Sequence, residues 1–270
     1  MLENKIEAIP VVNEDTQVVG ILNWDQVFAG KVAKYREPLK VPVVIMAGGK
    51  GTRLDPFTQI LPKSLIPVGE KPIIEVIMDK FLEYDVKDFF ICLYHKARMI
   101  KSYFEESNGK YNITCVEEKI PLGTIGPLSL LRDRLKGDFF VINCDVILNN
   151  DYAEILNFHR QKKYALTMVV SCRHYQIPYG ICELWQGGEL KAIKEKPGYD
   201  FLVNTGMYLM QEQVLDLIPD NEYFNIIQLV EKLRDKGLKI GVFPVSETSW
   251  MDVGQWEEYY KSIAHMKLIK

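Results

Sequence analysis

The residues of this 270-residue chain best suited to chemistry begin at Ala47-Gly-Gly-Lys-Gly-Thr-Arg-Leu, directly behind the apolar run Val41–Met46. Three glycines in four positions (Gly48, Gly49, Gly51) let backbone N–H groups approach an anion with no side chain in the way. Arg53 follows with a planar positive fork that matches phosphate oxygens. Further on, Leu61-Pro-Lys-Ser-Leu-Ile-Pro carries a second cation, Lys63, on an extended loop stiffened by two prolines. The spacing fits neither a P-loop, which ends in Gly-Lys-Ser/Thr, nor a dinucleotide fingerprint, because Leu54 stands where the third glycine belongs. Taken alone, such a stretch also reads as a tight turn and nothing more.

Two carboxylates offer the complementary chemistry. Asp145 ends the apolar run Phe139–Asn143, and Asp252 lies in Trp250-Met-Asp-Val-Gly254. A carboxylate at the carboxyl end of a strand faces the crevice in which α/β sheets take ligands, and it suits Mg2+ better than a core. Singly, either Asp reads more simply as a turn residue or a helix cap. Pro121-Leu122-Gly123-Thr124-Ile-Gly126-Pro precedes Asp145, and Pro178-Tyr-Gly180, Glu195-Lys196-Pro197 and Asn204-Thr-Gly206 lie between the two carboxylates. Gly123 and Gly126 allow backbone contact with a flat base edge, and Thr124 is placed to cap the helix that follows; a plain strand-to-helix turn explains the same residues. Glu195 has acceptors for two hydroxyls, Lys196 a charge for a phosphate, and Asn204 both a donor and an acceptor. On its own, Glu-Lys-Pro is a solvated strand end.

Bringing these residues together requires a scaffold, and the apolar pattern supplies one. Val41–Met46 is continuous enough for a parallel strand covered on both faces. Ile74, Ile77, Met78, Phe81 and Leu82 form one stripe of a helix over 73–84; strand-like runs at 87–93, 112–116 and 139–143 alternate with helical patterns at 97–106 and 124–135. That rhythm predicts a Rossmann-like, mostly parallel sheet flanked by helices. The second half shifts toward strands, at 165–171, 180–185, 190–195 and 201–210, with Gly187-Gly188 as a hairpin turn, before a helix through Ile226, Leu229, Val230 and Leu233 that stops at Gly237. Residues 1–38 read differently, as two short strands, a helix opened by Asn23 and a polar linker; this divides the chain into 1–38 and 39–270.

Composition narrows the classes. Hydrophobic residues at 47% supply a core, and the net charge of −3 argues against a nucleic-acid or anionic-membrane partner. No apolar run reaches the ~18 residues of a membrane span, and the N-terminus has no signal-peptide plan, so the expectation is a soluble, cytoplasmic protein. The five cysteines contain no CxxC pair and the four histidines share no short spacing, which predicts reduced core cysteines rather than zinc or disulfides.

GGKGTRLDPFTQILPKSLIPVGEKPII resembles the signature of the sugar-1-phosphate nucleotidyltransferases, and the likeness continues through the four later motifs and Trp250–Gly254. It departs from the family at Ile125, where many relatives carry Ala, and at Cys144, where Gly is usual. The resemblance implies the reaction NTP + sugar 1-phosphate → NDP-sugar + pyrophosphate. It makes Arg53 and Lys63 catalytic, and assigns nucleotide binding to Ala47, Gly48, Gly49, Gly51, Thr52, Leu122, Gly123 and Thr124. It assigns the sugar phosphate to Gly180, Glu195, Lys196 and Asn204, and Mg2+ to Asp145 and Asp252. Its loop is most like that of guanylyltransferases acting on an amino-sugar or heptose 1-phosphate. Uridylyl, cytidylyl or thymidylyl transfer, a non-sugar acceptor, or a non-catalytic nucleotide-binding subunit are alternatives, and a homo-oligomer is left open. IPVVNEDTQVVGILNWDQVF, in turn, resembles part of a cystathionine-β-synthase-type (CBS) repeat; an interaction role for that segment is a further alternative.

Overall fold

The computed structural model describes residues 8–12, 18–23, 36–106, 109–256 and 258–260. Its centre is a seven-stranded sheet built from β1 (Val43–Met46), β2 (Asp88–Leu93), β3 (Asn112–Glu117), β4 (Asp138–Asn143), β5 (Leu166–Gln176), β6 (Gly198–Gln211) and β7 (Ile240–Val245). The spatial order is β7-β5-β6-β4-β1-β2-β3. β1 pairs in parallel with β2 and with β4, β2 with β3, and β5 with β7. Only β6 runs against its two neighbours. This is the mostly parallel α/β sheet that the alternation of apolar runs predicts.

β1 shows how sequence becomes layers. All four of its residues are buried. Side chains alternate across a strand, so Val43 and Ile45 enter one apolar cluster and Val44 and Met46 the other. The first cluster takes in helix α1 (Ile73–Leu82), which contributes Ile73, Ile77 and Phe81, and α3 (Tyr152–Lys162), which contributes Tyr152 and Ile155; α2 (Ala97–Glu105) adds Ile100. The second is closed by Leu128 and Leu131 and by Leu229 and Leu233 of α4 (Ile226–Asp235).

The helix ends follow their residues. Asp151 accepts from the Ala153 N–H at the start of α3, and Asn225 with Gln228 forms a reciprocal capping box on α4. Gly237, at φ 67°, closes α4 as expected: its N–H reaches the Arg234 carbonyl and the Leu238 N–H reaches Leu233.

Three expectations change. The stretch 124–135 is no long helix, only a tight 3-10 turn over Gly126–Leu131, because Gly126 and Pro127 open it and its bonds span three residues. β5 and β6 run well beyond 165–171 and 201–210 and form a long two-stranded arm, with Tyr175 opposite Tyr199. β7 is a parallel edge strand where no strand is expected: Gly241 and Pro244 interrupt its apolar pattern, and both are tolerated at a sheet edge.

Near the N-terminus the two expected short strands are Ala8–Val12 and Val18–Asn23, which pair antiparallel. The helix expected after Asn23 lies outside the described residues. Among the described residues no helix is long and apolar enough to cross a membrane. The cysteines are free; Cys92 and Cys144 are buried as core residues, while Cys182 is exposed.

Candidate active site

The carboxyl edge of the parallel strands gathers the candidate residues. Met46 of β1 is level with Cys92 of β2 and Asn143 of β4, so the glycine loop and the Asn143-Cys-Asp145 turn leave the sheet side by side. Two backbone bonds lock this exit, Ala47 N–H to Cys92 and Cys144 N–H to Met46. Asp252 arrives from far along the chain because Trp250–Asp252 pairs antiparallel with Val146–Leu148. The ribbon sets Asp252 opposite Val146, and the Val253 N–H bonds to the Asp145 carbonyl. Two carboxylates distant in sequence therefore become neighbours.

Lys63 completes the cluster. It is 9% exposed, follows Pro62 into a single 3-10 turn and forms an ion pair with Asp145, itself 8% exposed. Gly254 sits at the hub. A Cβ there would fall 2.7 Å from Lys63 Nζ and 2.8 Å from Asp252 Oδ1, and would also collide with Asp145 Oδ2. Gly51, at φ 72°, backs onto the stem of the same lysine, where a Cβ would lie 2.9 Å from Lys63 Cβ and from Thr58 Cγ2. Gly51 is therefore favoured for both packing and conformation, while a side chain at Gly254 would displace the charged ends of Lys63, Asp145 and Asp252.

The charge balance explains the arrangement. Burial, then the adjacent Asp145, push the Asp252 carboxyl above its ordinary range, while the Gly254 N–H, Lys63 and Arg53 oppose that. Arg53 is exposed and makes no hydrogen bond or ion pair among the described residues. A Cβ on Gly49 would likewise meet nothing within 4 Å, so the tip of the loop faces open space. A carboxylate pair, one buried and one half-buried, with one nearby lysine is short of positive charge, and oxygen donors of this kind suit a hard divalent cation that takes its remaining ligands from phosphates and water. Among the described residues there is no cluster of three or more His, Cys, Asp or Glu that would hold a metal unaided.

The loop Pro121–Gly126 is held from behind. Phe224 donates its N–H to the Leu122 carbonyl, and its own carbonyl accepts from Ile125 and Gly126. A Cβ on Gly123, at φ 85°, would lie 2.7 Å from that same carbonyl. On the side where a Cβ would point, Gly123 and Gly126 thus pack against the chain's own backbone. The expectation for Thr124 is corrected: its hydroxyl accepts from the Ile226 N–H and so caps α4, a helix distant in sequence, at 3.3 Å.

One residue of this region does not stand out in the sequence. Glu118, just past β3, is 6% exposed, and its Oε2 accepts from the Leu122 N–H at 2.9 Å. Its Oε1 lies 2.5 Å from where a Cβ on Gly48 would be. It therefore bridges the glycine loop and the Pro121–Gly126 loop, and burial pushes its carboxyl upward, against the Leu122 N–H. Glu117-Glu118 looks like an ordinary charged pair; only strand register separates the outward Glu117 from the inward Glu118.

Of the remaining candidates, Asn204 sits on β6 and Gly180, Glu195 and Lys196 on the connection between β5 and β6. Glu195 Oε2 lies 2.8 Å from a Cβ position on Gly180, so those two belong together. Lys196, at φ 43°, is exposed and has no hydrogen bond or ion pair among the described residues. Asn204 donates to the Tyr208 hydroxyl at 2.7 Å and accepts from the Gly206 N–H at 3.1 Å. Gly206 in turn packs against Asn143 Nδ2, which joins this strand to the Asp145 turn. The structure shows no direct contact between Gly180, Glu195 or Lys196 and the carboxylate cluster.

A glycine loop, a cation and two carboxylates at the carboxyl edge of a mostly parallel sheet form an arrangement suited to phosphate-bearing ligands. The chain belongs to the nucleotidyl transferase family, whose model matches residues 42–268. It is 33% identical over 232 residues to a probable mannose-1-phosphate guanylyltransferase 1 of Oryza sativa subsp. japonica, covering 80% of this chain and 62% of that protein. It is 27% identical over 240 residues to a UTP–glucose-1-phosphate uridylyltransferase of Synechocystis, covering 82% and 62%. The chain thus spans under two thirds of the length of these relatives. Among solved structures, HddC from Yersinia pseudotuberculosis complexed with GMP-PN superposes with a TM-score of 0.65 at 22% identity, over 84% of this chain and 99% of that one.

Proposed function

We propose that the chain is a GTP-dependent sugar-1-phosphate nucleotidyltransferase that forms NDP-sugar and pyrophosphate. The observation that carries this reading is the meeting of Lys63, Asp145 and Asp252 around Gly254, behind a glycine loop whose tip and Arg53 are open to solvent. A phosphate oxygen of the sugar 1-phosphate attacks the α-phosphorus in line, and pyrophosphate leaves from the opposite side. The attacking oxygen is ionised at neutral pH, so no side-chain nucleophile or general base is needed. The chain's contribution is positioning and charge neutralisation.

Arg53 and Lys63 hold the β and γ phosphates and balance the charge that grows on pyrophosphate as it leaves. Asp145 and Asp252 are the groups that would hold Mg2+, which supplies charge neutralisation on the two phosphates when bound. Ala47, Gly48, Gly49, Gly51 and Thr52 line the phosphate path. Gly180, Glu195 and Asn204 face the sugar hydroxyls, and Lys196 offsets the repulsion between two anionic substrates.

Glu118 favours guanine. The Watson–Crick edge of guanine presents two adjacent donors, N1–H and the 2-amino group, to a carboxylate that still has Oε1 and a second lone pair on Oε2. Uracil offers one N–H between two carbonyls, which a buried carboxylate repels. Guanylyl transfer in the rice relative and GMP-PN in the Yersinia complex support the same base. We read residues 1–38 as an appended segment, so that deleting them leaves transfer intact.

Four NTPs against mannose, glucose, amino-sugar and heptose 1-phosphates, with Mg2+ and read by pyrophosphate release, test the proposal. GTP with one of the sugars should be turned over fastest. Equal rates with all four bases contradict the role of Glu118, and no release with any pair contradicts the reaction.

A further inference from the structure

The segment that follows Asp252 carries an arrangement that the transfer chemistry above does not use. After the turn at Val253-Gly254 the chain becomes helical, and two of its side chains reach back onto the loop that bears Arg53 and Lys63. The Trp256 indole N–H donates to the Asp55 carbonyl at 3.1 Å, and its ring meets Phe57 edge-on at 4.9 Å between centroids. One turn later the buried Tyr259 donates its hydroxyl to the Pro67 carbonyl at 2.8 Å. Asp55 lies two residues after Arg53, and Pro67 four after Lys63. The two bonds therefore grip the cation-bearing loop near both its ends.

The same loop is anchored by the buried Leu54, Ile66 and Val68 and by the Lys63–Asp145 pair, but its own backbone has little regular structure. It contains only single turns, and the Thr58 hydroxyl, with one proton, faces both Asp55 Oδ1 at 2.6 Å and the Gly51 carbonyl at 3.0 Å. Lys96 donates to the Thr58 carbonyl from the start of α2 at 2.8 Å. The Lys63–Asp145 pair links the loop to the Asp252 segment through the Val253 N–H, which bonds to the Asp145 carbonyl. Trp256 and Tyr259, four and seven residues beyond Asp252, add two direct bonds from that segment to the loop on either side of Lys63.

We propose that Trp256 and Tyr259 are positioning residues, forming a clasp that sets Arg53 and Lys63 at a fixed reach from Asp252 and hence at the pyrophosphate end of the nucleotide. This inference rests on the nucleotidyl-transfer reading. Neither side chain touches a reactant. Each donates to a backbone carbonyl of an irregular loop, where a lost donor is replaced by water and the loop is freed by the worth of one hydrogen bond. The effect of freeing it is directional, because the base end of the site is pinned independently by Phe224 and Glu118.

Trp256→Phe and Tyr259→Phe keep an aromatic ring at each position and remove the donors. Calorimetric titration of the full chain with magnesium pyrophosphate and, separately, with GMP reads the two ends of the site apart. The double variant should bind pyrophosphate about tenfold more weakly, the scale of one to two lost hydrogen bonds, with GMP affinity and melting temperature close to those of the parent. Each single variant should show part of that loss, and kcat should fall while KM for the sugar 1-phosphate stays put. Unchanged pyrophosphate binding in the double variant overturns the clasp. Equal weakening of pyrophosphate and GMP with a lowered melting temperature also overturns it, since that is a general packing defect. Arg53→Ala is the control for the underlying reading: if it leaves pyrophosphate binding intact, the assignment of the loop fails, whatever the clasp does.

Discussion

The two ends of the candidate crevice are built in different ways. At the phosphate end, Gly51, Lys63, Asp145, Asp252 and Gly254 form one contact network, mostly buried, and tied by backbone bonds between strands far apart in the chain. At the sugar end, Gly180, Glu195 and Lys196 are exposed on a two-stranded arm and its ribbon, Ile181–Leu184 with Leu190–Lys194. The arm also exposes Tyr175, Tyr179, Trp185, Ile193 and Phe201. A contact network in low dielectric holds its charges at fixed distances before a ligand arrives, and such preorganisation is where electrostatic catalysis is strongest. An exposed two-stranded ribbon has no such support and is marginal on its own. Turnover should therefore depend on the first region, and choice of acceptor on the second.

Substitutions should separate the two regions by size of effect. Lys63→Ala or Asp145→Asn should lower turnover by about 10²–10³-fold, the scale of losing one preorganised charge. Steady-state pyrophosphate release measures this, and near-normal turnover in both variants would remove the phosphate end from catalysis. Glu118→Gln should cost about 10–100-fold in kcat/KM for GTP, because one buried charged acceptor becomes a donor facing a donor. UTP should lose much less, and equal losses for both bases would remove Glu118 from base selection.

The same residue should show itself in the pH dependence. Burial holds the Glu118 carboxyl above the usual glutamate range, so protonation, which removes an acceptor, sets in at a higher pH than for an exposed glutamate. The KM for GTP should therefore rise as pH falls through that elevated value, and the rise should be absent in Glu118→Gln. At the sugar end, Glu195→Ala should raise the KM for the sugar 1-phosphate by about tenfold, in line with one or two exposed hydrogen bonds, and leave the KM for GTP alone. A turnover loss as large as that of Lys63→Ala would erase the distinction between the regions.

Much of the phosphate end is legible in the chain because its residues carry strong local constraints. The run Val41–Met46 demands a strand covered on both faces, and Gly51 at positive φ and Arg53 follow it at short range. The meeting of Asp145 with Asp252 is different: the order of the motifs points to it, but the means, a ribbon between Val146–Leu148 and Trp250–Asp252, is a long-range pairing with no local pattern. Glu118 is invisible for a similar reason, since its inward direction depends on where β3 ends. The helix expected over 124–135 follows from apolar spacing at Leu128, Leu131 and Leu135, which a short 3-10 turn satisfies as well when Gly126 and Pro127 precede it. Thr124 shows the limit of cap rules, because a hydroxyl that looks placed for its own helix serves α4 instead.

Phosphorus NMR of the chain mixed with GTP, Mg2+ and the sugar 1-phosphate turned over fastest in the panel follows each phosphorus atom and so reports the transfer itself. Nucleotidyl transfer at the Lys63–Asp145–Asp252 cluster predicts that the α-phosphorus and the sugar phosphorus appear together as a new anhydride-linked pair, with free pyrophosphate in equal amount. Conversion of GTP to GDP and orthophosphate, or to GMP with the sugar phosphate untouched, would contradict it.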